Sequence, residues 1–550
     1  MALTVRNADG TIGTDSTTIT VSDPAIVYAA DLTTCVNNTG DSDFTACPSG
    51  ANQVNADDVT GLVDYAQDGE RLLFKRGGAW TLGSLPSWPN SDGPVTIGAY
   101  GSCTGPNNQG ICSNAPQFTV SAGFIDIGYH QNLRIMDLRV VGEVCGGLSI
   151  NDFAQILFLR VDVEDAPAGV ALGWGHFNDA TPMTIDQMAV VECNIIDSAG
   201  YAMYVGSERL GLLGNVFSDS GTTHLVRVWQ SYRGVIQHNT FDSSTTEGPN
   251  QRHLLKFTGP DDAVEDPEHC TPANGTGCLE HYTESSILSD NIFGASGAWA
   301  VAIAPQSAIA DTQLSDIIYE RNFTVRDWGT YYSTSNMSNA LLVVGQSISI
   351  RNNIFDATNG TADFDFIVLD KYSSNTTGVR LLNNTLYRSD ASNDFTDGIV
   401  INPGCTNTVA RNNLLSAAKV TAAVTMISDN GTGTSASNNQ VIDNPNFTDP
   451  DNADPLSRDF TLQSGSPAID NGYPVEVLDD FADLRRTGLT YDLGAHEYGA
   501  PQPEGSGSDG DDDDGGGDDS SNGSDSGGGS SSGGCFITAV QGLKGFHPNH

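Results

Sequence analysis

The sequence predicts an all-β chain wound as a right-handed parallel β-helix, a solenoid of stacked coils. Three observations predict it. A short apolar strand ending in Asn and then an apolar or aromatic residue recurs through the centre: "VVECNIID" at Asn194, "LLGNVFSD" at Asn215, "VIQHNTFD" at Asn239 and "ILSDNIFG" at Asn291. The series continues with "IYERNFTV" at Asn322, "SIRNNIFD" at Asn353, "LLNNTLYR" at Asn384, "VARNNLLS" at Asn413 and "ASNNQVID" at Asn439. Successive gaps are 21, 24, 52, 31, 31, 31, 29 and 26 residues, a period that suits one solenoid coil, the long gap fitting two coils or one coil with an insertion. The third observation, that no apolar run approaches the ~18 residues of a membrane span, argues against a transmembrane helix, and the 38% hydrophobic content is enough for a core. Asn suits such a corner because it tolerates a left-handed backbone and can hydrogen-bond its counterparts one coil up and down. These Asn residues are therefore expected to be structural.

Taken in order, residues 1–24 carry "LTVRNADGTIGTDSTTITVSDP", two alternating strands about a glycine turn. The stretch resembles the last strands of a PKD-type β-sandwich domain and is too short to fold alone, so more of that domain is expected ahead of it. Residues 25–500 are assigned to the β-helix, with coils from about Asp68 to about Asn444. "DGERLLFKRGGAW" followed by "GPVTIGAYGS" resembles the first coils of bacterial pectate-lyase-like β-helix proteins. "SGSPAIDNGYPV" and "DLGAHEYG" resemble the closing segment of the same superfamily. That resemblance implies the fold and not the activity, since its members include lyases, hydrolases, epimerases and adhesive proteins. Residues 501–534, "EGSGSDGDDDDGGGDDSS" and onward, have no capacity to bury surface and are expected to form a self-repelling linker. Residues 535–550 begin "CFITA", which resembles a CFI-type sorting box of bacterial surface proteins and implies attachment through Cys535.

The charge balance narrows the partners. With 68 acidic residues against 24 Lys and Arg the formal charge is -44, and no basic patch is present to displace counterions from nucleic acid. Ten cysteines include three close pairs in Gly/Asn/Pro-rich loops: Cys35 and Cys47, Cys103 and Cys112, Cys270 and Cys278. Such pairs read as disulfide staples and hence an oxidising compartment. Cys145, Cys193 and Cys405 read as buried thiols. The expected protein is a monomer, secreted or held at a bacterial cell surface, with no transmembrane segment and an acidic polysaccharide as partner.

The longest interruption between Asn corners, from Asn239 to Asn291, marks the candidate site. It follows "THLVRVWQSYRGVIQHN" and contains "QRHLLKF" and "GPDDAVEDPEHC". Alternation turns Val226 and Val228 inward and Arg227 and Trp229 outward. In the next strand it turns Leu255 and Phe257 inward, and Lys256 outward with Leu254 and Arg252. The chain has only five lysines, so one placed beside arginines is notable. β-Elimination of a uronic-acid polymer needs a base for the proton next to the carboxylate and a cation for the charge that develops. A lysine serves as that base where neighbouring arginines depress its pKa.

An Arg strand, an Asn corner and a Lys strand in this order resemble the β-helix alginate and chondroitin lyases, although their Asn-Lys-Ser triplet is absent. The resemblance implies Lys256 as the base within a catalytic group that also holds Arg227, Arg252 and His253. Trp229, Arg233 and His238 are assigned to substrate binding. The acidic run supplies a candidate Ca²⁺ site at Asp261, Asp262 and Glu265. A lyase is the favoured reading. The alternatives are a glycoside hydrolase using two of Asp242, Asp261, Asp262, Glu265 and Glu280, and a non-catalytic glycan-binding adhesin.

Overall fold

The structure is a computed structural model. It describes residues 2–6, 12–16 and 32–500 except 65, 83–93, 127–130, 147–153, 167–169, 175–184, 220–223, 243–252, 259–281, 295–298, 306–312, 328–338, 359–364, 373–374, 389–396 and 417–423. The described chain is almost entirely β. Strands Ala2–Arg6 and Ile12–Ser16 form an antiparallel hairpin. From Thr33 onward the coils are parallel, and each contributes to three stacked sheets.

The first sheet runs from Arg71–Lys75 through Val95–Tyr100, Gln131–Met136 and Ala154–Leu159 to Ser435–Ser437. The second runs from Ala79–Leu82 to Gln440–Ile442. The third includes Val226–Ser231, His253–Phe257, Trp299–Ile303, Asn339–Val343 and Thr425–Asp429. This is the right-handed parallel β-helix that the repeat predicted. Until the last coil, whose strands Ser435–Ser437 and Gln440–Ile442 bury no residue, the parallel coils turn one face of their strands into a continuous apolar column. Within it Phe217, Phe241 and Phe293 stack with ring centroids 5.2 and 4.9 Å apart.

A ladder of side-chain amides runs up one corner. The amide nitrogen of Asn353 donates to the side-chain oxygen of Asn384 at 3.0 Å and to the Tyr319 carbonyl at 2.9 Å. Its own side-chain oxygen accepts from the backbone and side-chain nitrogens of Asn322. The pattern repeats from Asn215 to Asn439. Asn239 bonds directly to Asn291, so the 52-residue gap is one coil with an insertion.

Two details differ from the sequence reading. The ladder does not include Asn194: Cys193 takes that place, its N–H donating to the Asn215 side chain at 2.9 Å. The left-handed residue is also not the ladder Asn but the one before it. Gly214, His238, Asp290, Arg321, Asn352, Asn383, Asn412 and Asn438 all have positive φ. The kink aims the next residue inward, and Glu192 is the kinked residue of the first coil, which selects position 193.

Residues 445–500 leave the coil pattern and lie over the outward side of the second sheet and, through Val475, Val477 and Tyr491 against Leu382 and Val409, over part of the first. Phe447, Phe460, Leu462, Leu493 and Ala495 pack on Phe323, Ile354, Tyr387 and Leu414. Arg486 anchors this segment. Its buried guanidinium donates to the Asn352 side chain, to the Gly494 and Ala495 carbonyls and to Glu497. Cys35–Cys47 and Cys103–Cys112 are disulfides, and Cys193 and Cys405 are buried free thiols. Cys270 and Cys278 lie outside the described residues, as do 501–550 and the Cys145 side chain.

Candidate functional site

The strands "HLVRV" at 224–228 and "HLLKF" at 253–257 sit in register in adjacent coils of the third sheet. Val226 pairs with Leu255, Arg227 with Lys256 and Val228 with Phe257. Val226, Val228, Leu255 and Phe257 fill the core and leave Arg227 and Lys256 side by side on the outward face. Tyr204 precedes Arg227 in the same column. The guanidinium carbon of Arg227 lies 5.1 Å from the centre of the Tyr204 ring, a cation–π contact that fixes its orientation. Arg227 is 5% exposed, whereas Lys256 is half-buried, so of the two Lys256 is the one that meets solvent. Beyond Lys256 the column becomes apolar with Ala302, Leu342, Val368 and Val400.

The histidines bracket this patch. His224 Nδ1 and His253 Nδ1 are 2.9 Å apart, and both rings are buried. At that distance one nitrogen donates and the other accepts, so the two imidazoles share a single proton between them. Tyr201 extends the column, its ring 6.1 Å from His224 and 5.3 Å from Tyr204. His253 thus faces a second histidine rather than solvent.

The remaining sequence-assigned residues scatter. Arg233 and His238 are exposed corner residues with positive φ. Arg233 folds over the Tyr232 ring with its guanidinium carbon 4.7 Å from the ring centre. His238 donates its backbone N–H to Ser289. Trp229 falls at an irregularity, since the pairing jumps from Val205–Val228 to Gly206–Gln230, and its side chain lies outside the described set. Arg252, Asp261, Asp262, Glu265 and Glu280 lie outside the described residues as well. Asp242 is half-buried at the end of its strand. Among the described residues no group of three or more His, Cys, Asp or Glu is arranged to hold a metal.

Leu254 corrects one expectation. Alternation placed it outward beside Lys256, yet it is buried in the core cluster. Its equivalents Ala202, Leu225, Ala300, Ala340 and Phe366 are buried too, so outward alternation along these strands is established only from the third residue on. Tyr201, Tyr204 and His224 were missed. The signal was available: "HLVRV" and "HLLKF" are the same five-residue pattern, a His three residues ahead of a lone cation.

No helix among the described residues is long and apolar enough to cross a membrane. No protein-family model matches the chain, and no curated protein matches it. Among solved structures it is similar to pectate lyase Pel9A, at 14% identity over 84% of this chain and 96% of that one, with a TM-score of 0.38. It is similar to the A-module of the Azotobacter vinelandii mannuronan C-5 epimerase AlgE6, at 13% identity over 70% and 96%, with a TM-score of 0.43. A tailspike protein of E. coli bacteriophage HK620 in complex with pentasaccharide shares 14% identity over 73% and 78%, with a TM-score of 0.40. These likenesses carry no residue roles to this chain.

Proposed function

We propose that the protein is a secreted or surface-attached lyase that cleaves a uronic-acid-containing polysaccharide by β-elimination at the Tyr204–Arg227–Lys256 column. The observation that carries the reading is the side-by-side register of Arg227 and Lys256 on one outward face. On a chain with a formal charge of -44, a paired cation site is a specific place for a carboxylated sugar. In the reaction Lys256, as the free amine, removes the proton on the carbon next to the carboxylate. The electron pair forms the new C=C bond as the glycosidic C–O bond breaks, and the leaving oxygen is protonated by solvent. Arg227 supplies positive potential where the carboxylate becomes enolate-like. Close positive charges disfavour one another's charged form, which is the condition an amine base requires. The two disulfides support an oxidising compartment.

The test is incubation with alginate, pectate and chondroitin. A lyase raises ultraviolet absorbance through the unsaturated product, and Lys256→Ala abolishes that signal while far-UV circular dichroism is retained. Arg227→Ala lowers kcat/KM by roughly 10²-fold or more and moves the ascending, acid-side limb of the pH–rate profile to higher pH. Reducing ends without absorbance replace this reading with a hydrolase. Binding without either signal replaces it with an adhesin.

A further inference from the structure

The outward column that holds Lys256 is closed on both sides of it. Tyr204, Arg227, Lys256, Ala302 and Leu342 follow one another in consecutive coils of the third sheet. Lys256 is half-buried, whereas the other four are at most 6% exposed. Burial continues beyond Leu342 to Val368. Part of that cover is the half-buried Tyr372, which packs against the apolar cluster containing Ala302 and Leu342.

The strand direction is closed as well. His253 and Leu254 before Lys256 and Thr258 after it are buried. Thr258 is held twice, donating its N–H to the Val228 carbonyl at 2.8 Å and accepting from the Thr283 hydroxyl at 2.8 Å. Among the described residues adjoining it, Lys256 alone reaches solvent. Coils stand about 4.8 Å apart, so an opening one coil wide admits about one sugar. A polymer threaded along or across the sheet would need open positions on both sides.

We propose that this site takes the reducing-end residue of a 4-linked homopolyuronate and shortens the chain from that end, one residue per turnover. The inference rests on the lyase reading and adds where on the polymer it acts. The chemistry selects the end. A uronate at the non-reducing end carries only a hydroxyl on C4 and has no chain to release. The reducing-end uronate carries the whole chain on that oxygen. Lys256 takes the C5 proton, and the electron pair forms the C4=C5 bond as the C4–O4 bond breaks. O4 leaves with the chain and takes a proton from solvent, which makes it the anomeric hydroxyl of the new end. The product is a 4,5-unsaturated monosaccharide, and Lys256 returns its proton to solvent. One carboxylate per turnover also matches a single Arg227–Lys256 pair. The remaining carboxylates stay in solvent, away from a protein with a formal charge of -44.

The test uses the full chain on alginate and pectate and on their tetramers, with Lys256→Ala as the blank. Unsaturated monosaccharide is expected as the first product, with polymer viscosity falling far more slowly than absorbance rises. Polymer sheared to about one-tenth of its length at fixed mass carries about ten times as many ends, so its initial rate below KM should rise about tenfold. Borohydride opens the terminal ring, and a tetramer reduced in this way should be cleaved at least about tenfold more slowly. The proposal is overturned, with the lyase reading intact, if viscosity collapses early or dimers and trimers appear first. A rate that shearing or borohydride leaves unchanged overturns it too. Absorbance on chondroitin alone overturns the homopolyuronate. No absorbance on any of these substrates overturns the lyase reading and this inference together.

Discussion

Asp162 stands on the outward face of the second sheet with Glu164, against Arg139. Burial raises its pKa to about 6. The Arg139 charge opposes that rise, and Glu164 adds to it. Glu164 takes the close contact with Arg139 at 2.6 Å and leaves Asp162 at 3.6 Å. A carboxyl with a raised folded pKa weakens the fold as pH climbs from the unfolded value near 4 to the folded value, and the penalty is then constant above it. Asp162→Asn should therefore stabilise the protein by up to about 2 kcal/mol at pH 7.5 and by nothing at pH 3.5. Urea midpoints at the two pH values check the sign, and a benefit confined to low pH would refute the assignment. The candidate site shows how much of such detail the sequence carries. Arg227 and Lys256 were legible as outward cations because Val226, Val228, Leu255 and Phe257 alternate around them. The His224–His253 contact was not, because it depends on two coils stacking in one register, and 28 residues separate the two strands' histidines in the chain.

At the scale of the element, the amide ladder is a chain of groups that each satisfy a neighbour. Removing one side chain from the middle leaves partners on both sides stranded. Asn353→Ala deletes bonds to Tyr319 and Asn384 and strands the backbone and side-chain nitrogens of Asn322, all of them buried. Buried polar groups without partners cost about 1–3 kcal/mol each, so a loss of about 3–4 kcal/mol is expected. Asn439 ends the ladder half-buried and accepts from Asn413 where burial is only partial, so Asn439→Ala should cost less, about 1–2 kcal/mol. Chemical denaturation of both variants tests the contrast, and equal losses would show that the ladder carries no special stability. The ladder was readable because its period is a property of the chain. Its first rung was misplaced by one because Cys193 stands where the pattern calls for Asn, and Asn194 lies next to it.

Residues 445–500 close the second sheet and part of the first, and that closure is concentrated on Arg486. The side chain is fully buried, and burial lowers its pKa, yet its donors reach Asn352 in the solenoid as well as Glu497 within the closing segment. Glu497 is raised by burial, an effect that Arg486 opposes. Arg486→Ala removes that opposition and leaves a buried carboxylate unpaired, for which about 3–5 kcal/mol is the usual loss. Glu497 has a way out, since it can take a proton. Its folded pKa then rises further above the unfolded value, so the penalty grows with pH and is relieved in acid. The variant should lose more stability at pH 8 than at pH 5, and Arg486→Ala/Glu497→Gln should remove most of that difference. In a solenoid each coil contacts mainly its neighbours, so the damage need not spread along it. Hydrogen exchange should accelerate in 447–495 and in the strands beneath, Ile354–Thr358, Thr385–Arg388 and Leu414–Ser416. Strands Arg71–Lys75 through Ala154–Leu159, many coils away, should keep their protection. Uniform acceleration along the chain would instead mean that the solenoid and its closing segment unfold as one cooperative unit. A pH-independent loss would mean that Glu497 is not the group left exposed to the core.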